Sequence, residues 1–269
     1  FKSDAKLRSR TPSDLLEIAD KLESYEAIVH LGAHTNTQDN NLASITERNI
    51  EFTSQLARKA AKSETRFLFA SSSAIYGNDG KELRIDEINK KKRLNLYAKS
   101  KAISEVDLAN QFREIRGLTI MRFFNVFGPG ELHKGSMVSI PTRFVLDALK
   151  TGKIEIWSKD EVPTQSRDFI SVEDVCRTIL ILLNEPLKET EVLDIGRSIS
   201  RTFIEVARTV SEILPCSIEM IEFPKNIDFD GYQFFTKSSI NLENRFTRFC
   251  YSEFESKIAE LVFYIKDNI

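Results

Sequence analysis

The sequence predicts an α/β fold, an open parallel sheet with helices on both faces followed by a smaller α/β portion. Three observations predict it. Helix-period and strand-like segments alternate along the first half of the chain, and the strand-like segments are apolar throughout, as strands covered on both faces are. Three of those segments end in small, hydroxyl-bearing or amide residues, "HLGAHTN", "ASSSAIYG" and "FNVFGPG". Ligands bind at the carboxyl ends of open parallel strands, so the three ends are expected to converge on one crevice.

From Pro12 to Leu22 the apolar positions Leu15, Leu16, Ile18, Ala19 and Leu22 recur at helical spacing behind a Thr11 or Ser13 cap. "EAIVHLGA" follows as a short buried strand. Ile45 to Lys62 is again helical, and "RFLFASSSAIYG" is an apolar strand opening into serines and a glycine. Tyr97 to Arg116 reads as a third helix, and "LTIMRFFNVFGPG" as a third strand closed by Gly-Pro-Gly. Beyond Gly130 the pattern loosens. Ile140 to Lys150 is helical, "KIEIW" a short alternating strand, and "RDFISVEDVCRTILILLNEP" a strand end running into a long helix stopped by Pro186. "EVLDIGRS" is another strand and Thr202 to Leu214 another helix. The tail after Pro215 holds an aromatic-rich loop, "FDGYQFFTKSS", and a last helix near Ser252 to Ile265.

Composition narrows the function classes. The 269 residues are 41% hydrophobic, enough for one or two cored domains. The 38 basic and 40 acidic side chains nearly cancel and are interspersed. No charge field therefore favours nucleic acid or an anionic membrane, and the run Lys90 to Arg93 reads as a solvated loop. No apolar run approaches the roughly 20 residues a membrane helix needs. The opening "FKSDAKLRSR" lacks the apolar core of a signal peptide, so a cytoplasmic location is expected. Cys176, Cys216 and Cys250 are odd in number and form no CxxC pair, and are read as reduced core thiols. His30, His34 and His133 are too few and scattered for a metal cluster, so no metal is expected.

Tyr97 and Lys101 are four residues apart, which on a helix puts them on one face about 6 Å apart along the axis. An ammonium fixed there favours phenolate, so the tyrosine pKa is expected to fall and Tyr97 to serve as a proton shuttle. Ser71, Ser72 and Ser73 stand at a strand end, where a hydroxyl would hold a substrate oxygen against the same phenol. YxxxK alone recurs by chance in many helices. Its weight comes from the serine-rich strand end and the RxFNxxGP strand beside it.

With those motifs in place the chain resembles the extended short-chain dehydrogenase/reductase family, the nucleotide-sugar epimerases and dehydratases. The matching stretches are "IVHLGA", Asn49, "ASSSAIYG", "YAKSK", "RFFNVFGPG" and "RDFISVEDV", in family order over nearly the whole chain. The resemblance implies a Rossmann-like doubly wound sheet over residues 1–130, with 167–200 returning to it and 131–166 and 201–269 mainly binding substrate. It places Ser72 at the catalytic serine, Tyr97 at the catalytic tyrosine and Lys101 at the lysine that holds the cofactor ribose. Leu31, Gly32, Ala33, His34, Thr35, Asn49 and Val126 would line an NADP cofactor, or NAD, together with Tyr97, Lys101 and Lys134.

A narrower resemblance, in "ELHKGSM" and "GYQFFTKSSI", is to the ADP-glycero-manno-heptose 6-epimerase branch of lipopolysaccharide heptose precursor synthesis. It puts Lys134 at a second acid-base position, expected to work through partial burial and neighbouring cations that lower its pKa. Inversion through a ketone needs proton donors on both faces, which suits such a pair. Ser72, Asn125, Ser136, Arg143, Trp157, Arg167 and Tyr232 would hold a nucleotide-diphosphate sugar, Arg167 by a bidentate grip on phosphate. A homo-oligomer is also implied. Simpler roles stand beside these: Lys134 as a loop lysine, Arg167 and Asp168 as a structural ion pair, Tyr232 as a core plug and Trp157 as core.

Departures from the family pattern are plain. None of the ten glycines forms the GxGxxG that cradles a dinucleotide pyrophosphate. The chain is thus expected to start after the first strand, helix and second strand of the usual domain, with that portion present in the natural protein. Arg143 stands where the heptose branch has histidine, and "KDEVPTQS" before Arg167 is longer than usual. The alternatives are another nucleotide-sugar 4-epimerase, a 4,6-dehydratase, or a non-catalytic remnant of the fold. Ser73-Ala74 in place of an acidic pair argues against the dehydratase.

Overall fold

The computed structural model describes residues 25–35, 41–77, 95–112, 114–115, 117–158, 165–185, 189–225 and 232–269. The helix expected at 12–22 and the basic run at 90–93 lie outside them. The first half runs β1 (Ala27–His30), α1 (Leu42–Ile45), a π-helical stretch at Thr46–Glu51, α2 (Phe52–Lys62), β2 (Arg66–Ser72), a 3-10 turn at Ser73–Tyr76, α3 (Leu96–Gln111) and β3 (Thr119–Phe123). The second half runs β4 (Asn125–Phe127), a 3-10 segment at Leu132–Met137, α4 (Ile140–Thr151), β5 (Lys153–Ser158), β6 (Ser166–Ser171) and α5 (Val172–Asn184). It closes with β7 (Glu191–Ile195), β8 (Ser200–Thr202), α6 (Phe203–Ile213), β9 (Ser217–Glu222), α7 (Leu242–Arg245) and α8 (Phe254–Lys266).

The main sheet has the order β1-β2-β3-β7 and is parallel at every pairing. Its side chains alternate between two cores. Phe67 and Phe69 of β2 and Ile120 of β3 meet Leu56, Ala57, Ala60 and Leu108 of α2 and α3. Leu68, Met121 and Leu193 face the other way, onto Ile170, Val175, Leu182, Leu242 and Phe246. Burial on both faces is why these strands carry almost no polar alternation. A third core joins α4, α6 and α8 to β5 through Phe144, Val145, Ile154, Val206, Val210, Phe254 and Ile258. No helix among the described residues is long and apolar enough to cross a membrane.

The structure departs from the sequence reading at several points. "LTIMRFFNVF" is two strands: β3 ends at Phe123, the Phe124 N–H bonds to the Ile195 carbonyl, and β4 pairs with β6 in a second sheet, β4-β6-β8. The Phe124 side chain packs against Ile75, Tyr76 and Ala98, which accounts for the change of partner. The helix expected to reach Arg116 stops at Gln111, because Phe112 and Ile115 turn in to join the core under the sheet. The strand β9 carries no apolar alternation strong enough to announce it and pairs only with β5. The cysteines are free, as expected, but only Cys216 packs against a core. Cys176 lies on the open face of α5 and Cys250 in an exposed loop, while Cys216 is half-buried.

Gly128, just after β4, has φ +144°, and a Cβ there would lie 2.7 Å from Val172 Cγ1 at the start of α5. Gly128→Ala is expected to lower the unfolding free energy by about 1–3 kcal/mol. The check is a lower urea midpoint at unchanged slope.

Candidate active site

Because β1, β2 and β3 lie side by side and parallel, their carboxyl ends open on one edge of the sheet. The three segments singled out from the sequence meet there. Past β1, the loop holding Leu31, Gly32, Ala33, His34 and Thr35 is largely open, with Leu31 52% exposed. Buried Asn49 holds its far end. Its side chain accepts from the His34 N–H at 2.6 Å and donates to the His34 carbonyl at 3.1 Å and the Ser100 hydroxyl at 2.9 Å. Asn49 sits inside the π-helical stretch, and its own carbonyl accepts from the Thr53 and Ser104 hydroxyls at 2.7 and 2.9 Å. Such stretches concentrate at functional sites.

Ser72 ends β2, and its hydroxyl accepts from the Ala74 N–H at 3.2 Å. The Tyr97 phenol faces the same hydroxyl, which favours its ionised form. Asn95 caps α3 by accepting from the Ala98 N–H at 2.8 Å, which sets Tyr97 in the first turn and Lys101 one turn on. Lys101 is buried. Its Nζ donates to the Ala70 carbonyl at 2.6 Å and lies 4.7 Å from the Phe69 ring centre.

The electrostatics differ from the expectation. Burial pushes the Tyr97 phenol above its usual value, and the Ser72 hydroxyl only partly opposes this. Lys101 does not lower it, since the ammonium is turned down onto the β2 backbone. Burial also lowers Lys101 to about 8, against the pull of Glu105. His30 falls to about 4, through burial and then the Lys101 charge, and its ring bonds to the Thr53 hydroxyl at 2.9 Å among Phe52, Phe67 and Phe69. A neutral ring beside a buried cation is the consequence.

The Asn125 amide, at the switch between β3 and β4, donates to the Asp168 carbonyl at 3.2 Å and the Thr236 hydroxyl at 2.8 Å. The Gln233 amide donates to the Ser73 and Gly77 carbonyls at 3.3 and 2.9 Å. The segment from Tyr232 onward is thereby laid against the ends of β2 and β3. Gln233 and Thr236 were not singled out from the sequence, since loop amides and hydroxyls carry no spacing signal. Val126 follows Asn125 and is half-buried.

Arg167 is buried, with Nη1 donating to the Ser166 carbonyl at 3.0 Å. Its guanidinium lies 5.4 Å from the Tyr232 ring and 5.6 Å from the Phe203 ring, and it shares a hydrogen bond with Tyr232. Burial lowers its pKa. Trp157 and Tyr232 complete an aromatic group with Phe223 and Phe234. Asp168 is engaged elsewhere: its carboxylate accepts from the Arg197, Ser198 and Ser238 N–H groups. Neighbours on a strand point to opposite faces, which is why the two do not form the simple ion pair.

Lys134, Ser136 and Arg143 form a separate group beyond β4. Lys134 is about half exposed, and the charged partner it meets is an anion where cations were expected. Its side chain is 47% exposed and its Nζ lies 3.6 Å from the Glu131 carboxylate. That carboxylate is itself fixed by the Ser139 N–H and hydroxyl and the Thr142 hydroxyl. Ser136 is exposed, and Arg143 donates to its carbonyl.

A family model described as the NAD dependent epimerase/dehydratase family matches residues 4–196, most of the chain. The chain belongs to this family. Among similar proteins, an ADP-L-glycero-D-manno-heptose-6-epimerase of Alkalilimnicola ehrlichii is 28% identical over 232 residues, 84% of this chain and 71% of the relative. One from Pseudomonas aeruginosa is 30% identical over 210 residues, 74% of this chain and 63% of the relative. The chain thus spans about two thirds of the length of these relatives. The crystal structure of Helicobacter pylori ADP-L-glycero-D-manno-heptose-6-epimerase superposes with a TM-score of 0.78 at 21% identity, covering 96% of this chain and 79% of that one. The expected family and the parallel-sheet fold both stand.

Tyr97 is expected to ionise at higher pH than an ordinary tyrosine, because burial opposes the phenolate. The check is spectrophotometric titration against Tyr97→Phe. The difference between the two should rise above the pH at which free tyrosine ionises, and Ser72→Ala should delay it further.

Proposed function

We propose that this chain is a nucleotide-sugar epimerase that inverts a sugar carbon through a transient ketone. The finer reading is ADP-glycero-manno-heptose as substrate and NADP as cofactor, in a cytoplasmic homo-oligomer. It is supported by the "ELHKGSM" and "GYQFFTKSSI" segments and by the names of the relatives. The observation that carries the reading is the placing of Ser72, at the carboxyl end of β2, beside Tyr97 in the first turn of α3, with Lys101 buried one turn along.

Lys101 spends one of its three N–H donors on Ala70, and the open loop from Leu31 to Thr35 is braced by Asn49. These residues fit the ribose and nicotinamide half of a dinucleotide. NAD(P), when bound, supplies a positively charged hydride acceptor. Ser72 orients the sugar oxygen through the hydroxyl that faces Tyr97. Tyr97 or Lys134 takes the hydroxyl proton, and once the ketone has turned over the other returns one on the opposite face. Arg167, backed by Tyr232, grips the diphosphate, and Asn125 and Ser136 hold the sugar. In this reading the main sheet binds the dinucleotide, and the residues around α4, α6 and β9 bind the substrate.

Tyr97→Phe and Lys134→Met are each expected to lower epimerisation about 100- to 10,000-fold, with unchanged thermal midpoints. Wild-type rates in both would sink the two-base assignment. Mass spectrometry of the nucleotide and nucleotide sugar that co-purify with the full-length protein tests substrate and cofactor together. A full-length protein that carries no NAD(P) and binds none in titration would favour a non-catalytic remnant.

A further inference from the structure

Three consecutive residues at the end of β2 each grip α3. The Ala70 carbonyl accepts from Lys101, the Ser71 hydroxyl donates to Glu105, and Ser72 faces Tyr97. Two of these contacts belong to groups with a part in the proposed reaction. The third does not. Glu105 lies one turn beyond Lys101 and is buried at 8% exposure.

Arg122 of β3 meets Glu105 as a fork, with Nε 3.1 and 3.2 Å from the two carboxylate oxygens and Nη2 2.7 Å from Oε2. Its Nη1 donates to the Tyr76 hydroxyl at 3.0 Å, which in turn donates to Asp194 at 2.5 Å. Asp194 also accepts from the Ser239 N–H and hydroxyl at 2.9 and 2.8 Å. Ser71, Arg122 and Asp194 are register partners across β2, β3 and β7. One row of the sheet therefore runs from α3 to the segment that carries Gln233 and Thr236.

We propose that Glu105 is a positioning residue: clamped by Ser71 and Arg122, it fixes the roll and depth at which α3 lays Tyr97 against Ser72 and Lys101 against Ala70. Ser100 and Ser104 tie one side of α3 to Asn49, and Glu105 ties the helix to the end of β2 one turn beyond Lys101. Contacts on two sides fix the roll of a helix more closely than contacts on one, and a forked arginine–carboxylate pair is among the most directional contacts a protein has. Stability is a weaker account of the pair, since a buried ion pair often returns little more than its desolvation cost.

The charges around Lys101 agree. On its own helix it faces Glu105 and the neutral Tyr97; from β1 it faces the neutral His30; behind Glu105 stand Arg122 of β3 and Asp194 of β7. Burial lowers Lys101 to about 8 and Glu105 opposes it. Neutralising Glu105 removes the opposing term, so the Lys101 midpoint must move below about 8.

The inference rests on the epimerase reading for what Tyr97 does. Two variants of the full-length protein test it, with two readouts. Glu105→Gln keeps the shape and removes the charge; Ser71→Ala removes one side of the clamp and keeps the charge. Each is expected to lower kcat about 10- to 100-fold with KM little changed, the loss typical of a reacting group displaced by about 1 Å. The Lys101 midpoint, followed by the carbon shift of labelled lysine without any cofactor, is expected to fall in Glu105→Gln and to hold in Ser71→Ala. Wild-type kcat in both variants, or a Lys101 midpoint that stays in place in Glu105→Gln, overturns the proposal. If Glu105→Gln does not fold, Ser71→Ala decides alone: a reduced kcat supports the clamp and a wild-type kcat overturns it. A wild-type protein that epimerises no nucleotide sugar, with the midpoint still falling in Glu105→Gln, counts against the epimerase reading and supports the clamp.

Discussion

An ammonium group taken out of water at Lys101 sets the terms for the residues around it. Desolvating such a charge costs on the order of several kcal/mol even after relaxation. Here the Ala70 carbonyl, the face of the Phe69 ring and the carboxylate of Glu105 offset that cost in part, and burial still lowers Lys101 to about 8. Each of these creates a further demand. Glu105 is buried too and is answered by Arg122; Arg122 is answered in part by Tyr76, and Tyr76 by Asp194. His30, close enough to feel the ammonium, is held in its neutral form. The sheet does more than carry the active residues, since it relays one buried charge to the next in register.

The two proposed proton groups live in different worlds. Tyr97 is half-buried beside the Ser72 hydroxyl, and its ionisation is opposed by desolvation. Lys134 is half in water and tied to a carboxylate that also holds Ser139, the cap of the following helix. A reaction that uses both is asymmetric in its proton traffic. One proton moves inside the protein and the other at its surface.

Much of this was legible in the sequence, and the reasons for the rest are physical. Apolar strands without alternation pointed to a sheet covered on both faces, which Phe67 and Leu68 display by pointing into different cores. The YxxxK spacing correctly set Tyr97 and Lys101 on one helix. It did not reveal that Lys101 turns toward backbone, because burial and side-chain direction depend on what packs above the helix. Glu105 was not singled out from the sequence at all. Its partners Arg122 and Ser71 lie 17 and 34 residues away, and no local pattern connects them. The split of "LTIMRFFNVF" was hidden for the opposite reason: local propensity favours one long strand, and the packing of Phe124 overrules it.

That split has a consequence for redesign. Residues 119–127 serve as β3 in one sheet and β4 in another, and Asn125 stands at the changeover with its amide tied to Thr236 and the Asp168 carbonyl. An engineer who alters Asn125, proposed above to hold the sugar, also alters the seam between the two sheets. Selectivity and foldability are written in the same nine residues at this place, and a library that varies the first without repairing the second will lose most of its members before any substrate is offered.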